Sequence, residues 1–269
     1  MLVPLPERLR EHAIAPGQAV EPRDASTIVL LRDGAAATET YLLRRRSSMA
    51  FAAGMFVFPG GGVHAGDTDP IASTGPSWGE WAQRLDADEA TARGLVVAAV
   101  RETFEESGVL LAGTDGRTAL GDASGPDFVA ARAALEAHEL TLAAFLADQG
   151  LVLRTDLLGA WSRWITPDFE PRRYDTRFFV AAVPEGQVVG DLPGEADRAQ
   201  WSPVPEALEA AERGEVAMMP PTVVTLQQVA PLQPHEVVAA SAGRSLRPVQ
   251  PRVVEVDGEL FLHNDSDEE

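Results

Sequence analysis

The chain has no cysteine and no lysine in its 269 residues. The first absence removes disulfides, thiol nucleophiles and cysteine metal sites. The second removes Schiff-base and lysine general-base chemistry, since all 22 basic residues are arginine. Positive charge is scarce overall: 41 acidic residues leave a formal net charge of −19. A surface this acidic lacks the basic footprint that a phosphate backbone needs, so no nucleic-acid partner is expected. Long apolar runs are missing too, and no stretch approaches the roughly 18 residues of a membrane span. The opening Met1-Leu2-Val3-Pro4-Leu5-Pro6-Glu7 lacks the basic-then-apolar order of an export signal. The expectation is a soluble, unexported chain with no membrane partner, cytoplasmic by default.

Apolar residues make up 45% of the chain, enough for a sizeable core. The pattern reads as an N-terminal arm (1–24), one domain over 25–262, and a solvated acidic tail (263–269). A short helix is compatible with Pro6 to Ala13. Ser26 to Leu31 and Thr40 to Arg44 are β-branched or apolar runs separated by the turn-prone Asp33-Gly34, which predicts a hairpin. Met55 to Phe58 reads as a strand running into Pro59-Gly60-Gly61-Gly62, too glycine-rich to continue as helix or strand. Ser77 and Glu80 have capping-box spacing for a helix through Leu85, and a longer helix is expected from Asp88 to Glu106, stopped by Gly108. Further helices are expected at 127–137, 141–149, 203–213 and 221–229, strands at 161–166 and 177–183, and a hairpin at 253–262 around Asp257-Gly258. Alternating strands and helices predict an α/β fold with helices covering a mixed sheet. The sequence does not fix an oligomeric state, and a homodimer is compatible with it.

The segment Arg101-Glu102-Thr103-Phe104-Glu105-Glu106-Ser107-Gly108-Val109 carries the chemistry. At about 3.6 residues per turn, Glu102 lies one turn from both Glu105 and Glu106, and Arg101 reaches Glu105 at i,i+4. Converging hard oxygen ligands suit magnesium or manganese.

This helix, together with Phe58-Pro59-Gly60-Gly61, resembles the Nudix hydrolases. Their signature runs Gly, five residues, Glu, seven residues, then Arg-Glu-apolar-x-Glu-Glu-x-Gly-apolar. Gly61 opens it here, Asp67 stands where Glu is usual, and Thr103 takes the apolar position. Between Asp67 and Arg101 lie 33 residues where the pattern has seven, so 26 are inserted, about 68–93. Such an insertion is similar to that of the coenzyme A and acyl-CoA diphosphatase branch, as are Arg46-Ser47-Ser48, Phe51-x-x-Gly54, Trp164-Ile165-Thr166-Pro167 and Arg172 to Phe179. That branch's usual signature has Arg four residues before its glycine, where this chain has Ala50.

The resemblance implies a Nudix α/β/α sandwich with a helical insert, and metal-dependent hydrolysis of a diphosphate in a small molecule linked to a nucleoside. CoA or acyl-CoA, yielding 3′,5′-ADP and phosphopantetheine or its acyl form, is the leading substrate. NADH, ADP-ribose or a nucleotide remains open, as does a catalytically silent metabolite-binding regulator. By resemblance, Glu102, Glu105 and Glu106 bind Mg2+ or Mn2+ with the Gly61 carbonyl, and Arg101 orients Glu105. The base is Glu102 or, from a later loop, Glu195. Gly60, Gly61, Arg46 and Arg173 are the expected substrate contacts. His64 reads as a surface residue, Asp67 as structural or functional with equal weight, Trp161 and Trp164 as packing, and Met218 to Thr222 as a packed loop.

Overall fold

A computed structural model describes residues 2–5, 13, 19–46, 52–189 and 196–263. The strands are β1 (Leu2–Pro4), β2 (Arg23–Arg32), β3 (Glu39–Arg45), β4 (Phe56–Val57), β5 (Gly60–Gly62), β6 (Ser73–Thr74), β7 (Ala112–Gly113), β8 (Val152–Arg154), β9 (Gly159–Ile165), β10 (Tyr174–Ala182), β11 (Ala196–Pro203), β12 (Pro248–Val249), β13 (Arg252–Val256) and β14 (Glu259–His263). The α-helices are α1 (Trp78–Leu85), α2 (Glu89–Ser107), α3 (Pro126–Glu136), α4 (Leu142–Asp148), α5 (Val204–Glu212), α6 (Pro220–Val229) and α7 (Val237–Ser241). Among the described residues no helix is long and apolar enough to cross a membrane.

Strand β2 organises the main sheet, whose order is β11-β3-β2-β10-β9-β12. One side of β2 pairs antiparallel with β3 near Leu31 and with β5 over Ala25 to Thr27, and the other side pairs parallel with β10. Because successive side chains alternate across a strand, one strand feeds two cores. Ile28 and Leu30 join Tyr41, Leu43, Phe179 and the α2 residues Leu95, Val96 and Phe104. Val29 and Leu31 point the other way, to Leu42, Phe178, Val180, Val204, Leu226 and Val237. Helices thus cover both faces, and the expected α/β/α layering is present.

The expected long helix is α2. Asp88 caps its start by accepting from the Thr91 amide at 2.9 Å, and Gly108 ends it at φ 78. The insert does more than the expected helix. Its β6 adds a parallel strand to β8, in a small sheet with β7. The Ser77–Glu80 capping box is present at the start of α1, with the Ser77 amide 2.7 Å from Glu80 Oε2. Arg84 ties α1 down by donating to the carbonyls of Ser241 (2.5 Å), Arg244 (2.6 Å) and Ala160 (3.1 Å).

One expectation needs correction. Gly60–Gly62 is a strand after all, since pairing with β2 supplies backbone hydrogen bonds that no side-chain propensity would reveal. Within the N-terminal arm, β1 pairs antiparallel with β14, and Leu5 is buried with Phe169 and Leu262. Most of the expected 6–13 helix and the tail from 264 lie outside the described residues. The strands β6, β7, β8, β11 and β12 had no counterpart in the sequence reading.

Trp81 is 4% exposed and meets Phe179 edge-on, with ring centroids 6.0 Å apart. Trp81→Ala is expected to cost about 3–5 kcal/mol in urea unfolding, and Trp81→Phe much less. A loss near zero for the alanine variant would show that α1 is not part of the core.

Candidate active site

The last two turns of α2 place Arg101, Glu102, Glu105 and Glu106 against the β5 end of the sheet. Arg101 is 3% exposed, and its guanidinium is surrounded by acceptors. Nε and Nη2 donate to the two oxygens of Asp67 at 2.8 and 2.9 Å, and Nη2 also donates to the Gly62 carbonyl at 2.9 Å. Nη1 donates to Glu102 at 2.8 Å and to Glu105 at 3.2 Å. Burial alone would loosen the Arg101 proton, but the Asp67 hydrogen bonds and the charges of Glu102, Asp67 and Glu105 hold it more firmly than usual. Arg101 therefore stays charged and positions both Glu102 and Glu105.

Asp67 thereby acquires a definite role. It is 2% exposed, and Oδ2 also accepts from the His64 amide at 2.8 Å, so it fastens the loop after β5 to α2. Glu106 accepts from the Gly60 amide at 2.8 Å. Gly61 backs directly on Glu102: a β-carbon there would sit 2.6 Å from the Glu102 carboxyl carbon. Any larger residue there would have to push the Glu102 carboxylate off its place on Arg101. On the far side, Arg132 of α3 donates to the Glu105 carbonyl at 2.9 Å, satisfying one of the free carbonyls at the helix end.

Burial is the main reason the Glu105 carboxyl is pushed up to about 7. Arg101 opposes the shift, and the charges of Glu102 and Asp67 add to it. A hard cation within reach of this buried carboxyl would favour its charged form. The donor set fits such an ion: carboxylate oxygens of Glu102, Glu105 and Glu106 with the Gly61 backbone alongside. Among the described residues no three acidic or histidine side chains are already drawn around one point. Glu102 and Glu105 are turned onto Arg101 and Glu106 onto the Gly60 amide.

A cavity of about 460 Å³ opens beside these carboxylates. Part of its wall is Gly60, Gly61, Gly62, His64, Glu102, Glu105, Glu106 and His138, and another part is apolar: Phe58, Trp164, Ile165, Pro167, Phe178, Met219, Pro220 and Pro221. Its size and mixed lining are those of a small-molecule site.

The profile of the NUDT19 Nudix domain matches residues 80–229, more than half of the chain. The chain belongs to this Nudix family. A crystal structure of a NUDIX hydrolase from Alicyclobacillus acidocaldarius is similar at 31% identity and a TM-score of 0.66, covering 85% of this chain and 99% of that one. The acyl-coenzyme A diphosphatase NUDT19 of Gallus gallus is 29% identical over 68% of this chain and 58% of its own length. The protein of the same name from Xenopus laevis is 26% identical over 73% of this chain and 60% of its own length. The chain thus spans about three-fifths of these relatives. Nudix hydrolases use divalent metal ions.

Of the residues singled out in the sequence, Gly60, Gly61, Glu102, Glu105 and Glu106 line one cavity, and Arg101 bonds to Glu102 and Glu105 behind it. The other predicted contacts are not all drawn in. Arg46 is exposed just past β3, and its neighbour Arg45 is the one at the cavity wall. Arg173 donates to the carbonyls of Thr166 (3.1 Å) and Val20 (2.8 Å), tying the start of β10 to the chain before β2, and is not in the wall. Glu195 lies outside the described residues.

Reading from sequence missed His64, His138, Glu136, Glu170 and Tyr174, all of which line the cavity. Only the alternation of β10 held a signal, since Tyr174, Thr176 and Phe178 fall on one face. Trp161 is packing, as expected, whereas Trp164 packs and also lines the cavity, as do Met219 to Thr222.

Asp67→Ala strips two hydrogen bonds from a buried guanidinium and should cost about 3–5 kcal/mol in urea unfolding, with Asp67→Glu retaining most of it. Equal stability of wild type and the alanine variant would remove Asp67 from this role. A second test uses Glu105. Its folded-state value near 7 lies above the unfolded 4.5, so its protonated form stabilises the metal-free fold below about 4.5, and that contribution is lost as pH rises to 7 and beyond. Without metal, wild type should melt below Glu105→Gln at pH 8 and alongside it at pH 4, and magnesium should raise the wild-type Tm more at pH 8 than at pH 5.5. Identical melting of the two proteins at pH 8 counts against the buried charge.

Proposed function

We propose that this chain hydrolyses the diphosphate linkage of CoA or acyl-CoA, with water as nucleophile, giving 3′,5′-ADP and phosphopantetheine or its acyl form. The observation that carries the reading is the continuity of one cavity from the Arg101-held carboxylates to the apolar wall of Phe58, Trp164, Phe178 and Met219. A diphosphate fits the first part and an extended, largely uncharged arm the second. The relatives named acyl-coenzyme A diphosphatases support this choice.

Glu102, Glu105 and Glu106, with the Gly61 backbone, would hold Mg2+ or Mn2+. Bound there, divalent ions neutralise the diphosphate and lower the pKa of a water. The chain's own contribution is orientation. Arg101 fixes Glu102 and Glu105, Asp67 fixes Arg101, and the glycine strand leaves room for the phosphates beside them. Glu102 would take the water's proton, and Glu195 is the alternative base. Arg45 at the wall is the arginine best placed to meet a phosphate oxygen.

The purified chain, given magnesium and CoA, acyl-CoAs, NADH, ADP-ribose or nucleotides, should release 3′,5′-ADP from the CoA compounds, identified by mass. Glu105→Gln and Glu106→Gln should fold normally and lose turnover by about 10²–10³-fold. Cleavage confined to NADH or ADP-ribose would move the substrate, and binding without any cleavage would make the chain a metabolite-binding regulator.

A further inference from the structure

A polyanionic substrate entering this cavity meets few positive groups, because most nearby arginines are already committed. Arg101 serves the carboxylates, Arg44 pairs with Asp197 at 2.6 Å, Arg163 pairs with Asp175 at 2.6 Å, and Arg173 serves backbone carbonyls. The basic side chains in the wall are Arg45, His64 and His138.

The two histidines form a unit. Their ring centroids are 4.4 Å apart and the rings nearly perpendicular at 89°. Both rings line the cavity, and among the described residues no group of three acidic or histidine side chains that could hold a metal ion includes them, so their nitrogens are read as hydrogen-bonding groups. His64 sits next to the catalytic acids, its amide bound to the Asp67 that holds Arg101. His138 follows the end of α3 with φ at 58°, a left-handed conformation that costs a β-carbon-bearing residue about 1 kcal/mol. This is the left-handed position that ends α3, with the Glu139 amide donating to the Ala134 carbonyl at 2.8 Å, and from it His138 lines the cavity.

We propose that His64 and His138 form a subsite for a phosphomonoester adjoining the diphosphate, the 3′-phosphate on the proposed CoA reading, on which this inference rests. Such a group carries close to two negative charges near neutrality and accepts several hydrogen bonds. Burial, the Arg101 charge and His138 hold His64 below the ordinary imidazole range, so in the free protein it offers a neutral N–H donor. The subsite selects for the phosphomonoester; it takes no part in the bond cleavage.

The test is calorimetric titration of the full chain, with magnesium, by adenosine 3′,5′-bisphosphate and by adenosine 5′-monophosphate. It is paired with kcat and KM for CoA and dephospho-CoA. Wild type should bind the bisphosphate about tenfold more tightly. His64→Ala and His138→Gly should each bring that ratio towards one, and the preference for CoA over dephospho-CoA should fall with it through KM. His138→Gly also relieves the positive φ and should melt no lower than wild type, so it carries the test if His64→Ala folds poorly. A wild type indifferent to the 3′-phosphate, or variants that keep the full ratio, overturn the subsite while leaving CoA hydrolysis standing. Bisphosphate preference without cleavage of either CoA compound overturns the hydrolysis reading and leaves the subsite standing.

Discussion

One buried guanidinium sets the geometry of the whole site. Arg101 is surrounded by Asp67, Glu102, Glu105 and the Gly62 carbonyl, with almost no solvent in reach. Taking these charges out of water is costly, and their mutual attraction only offsets that cost because every donor of the fork has an acceptor. The return is orientation. Two carboxylates with several free rotamers are held to a single arrangement, and the helix, the loop after β5 and the glycine strand are drawn to the same point. Removing any member leaves the others as uncompensated charge in a dry place.

The sheet makes this arrangement available from both sides. Strand β2 divides its side chains between two helical layers, and β5 lies along its edge with no side chain above hydrogen. The acids on α2 belong to one layer, and the apolar wall built from Phe58, Trp164, Phe178 and the start of α6 belongs to the other. The glycine strand is where the two layers open onto a common space. A β-carbon at Gly61 would close that opening by displacing Glu102.

How much of this could be read from the amino-acid order follows from distance along the chain. Arg101, Glu102, Glu105 and Glu106 lie within two turns of one helix, so helical geometry alone groups them, and the caps Asp88 and Gly108 mark its ends. Most of the strands missed are short or featureless and are defined by their partners: β5 is nothing but glycine, and β6, β7 and β12 are two residues each, though the eight-residue β11 was missed as well. Asp67 was ambiguous because its partner is 34 positions away. His64 and His138 were invisible as a pair for the same reason, and a histidine in a glycine-rich loop looks like any surface residue. Arg45 and Arg46 are adjacent in sequence and differ only in which way the end of β3 turns them, which no pattern in three consecutive arginines reveals.

The 26 residues interrupting the signature start just beyond Asp67 and give way to the helix bearing Arg101, and these two side chains grip each other through two hydrogen bonds. The interruption is therefore closed at its base, like a loop held by a clasp. Ends already fixed in space make the segment between them cheap to lengthen, since closure entropy grows only slowly with added residues. Whatever is placed between them is felt first by α1 and the β6–β8 sheet that anchor it, not by the carboxylates. The clasp thus separates two tasks: the insert adds Trp81 and Leu85 to the core from outside it, while the carboxylates beneath are held by Arg101.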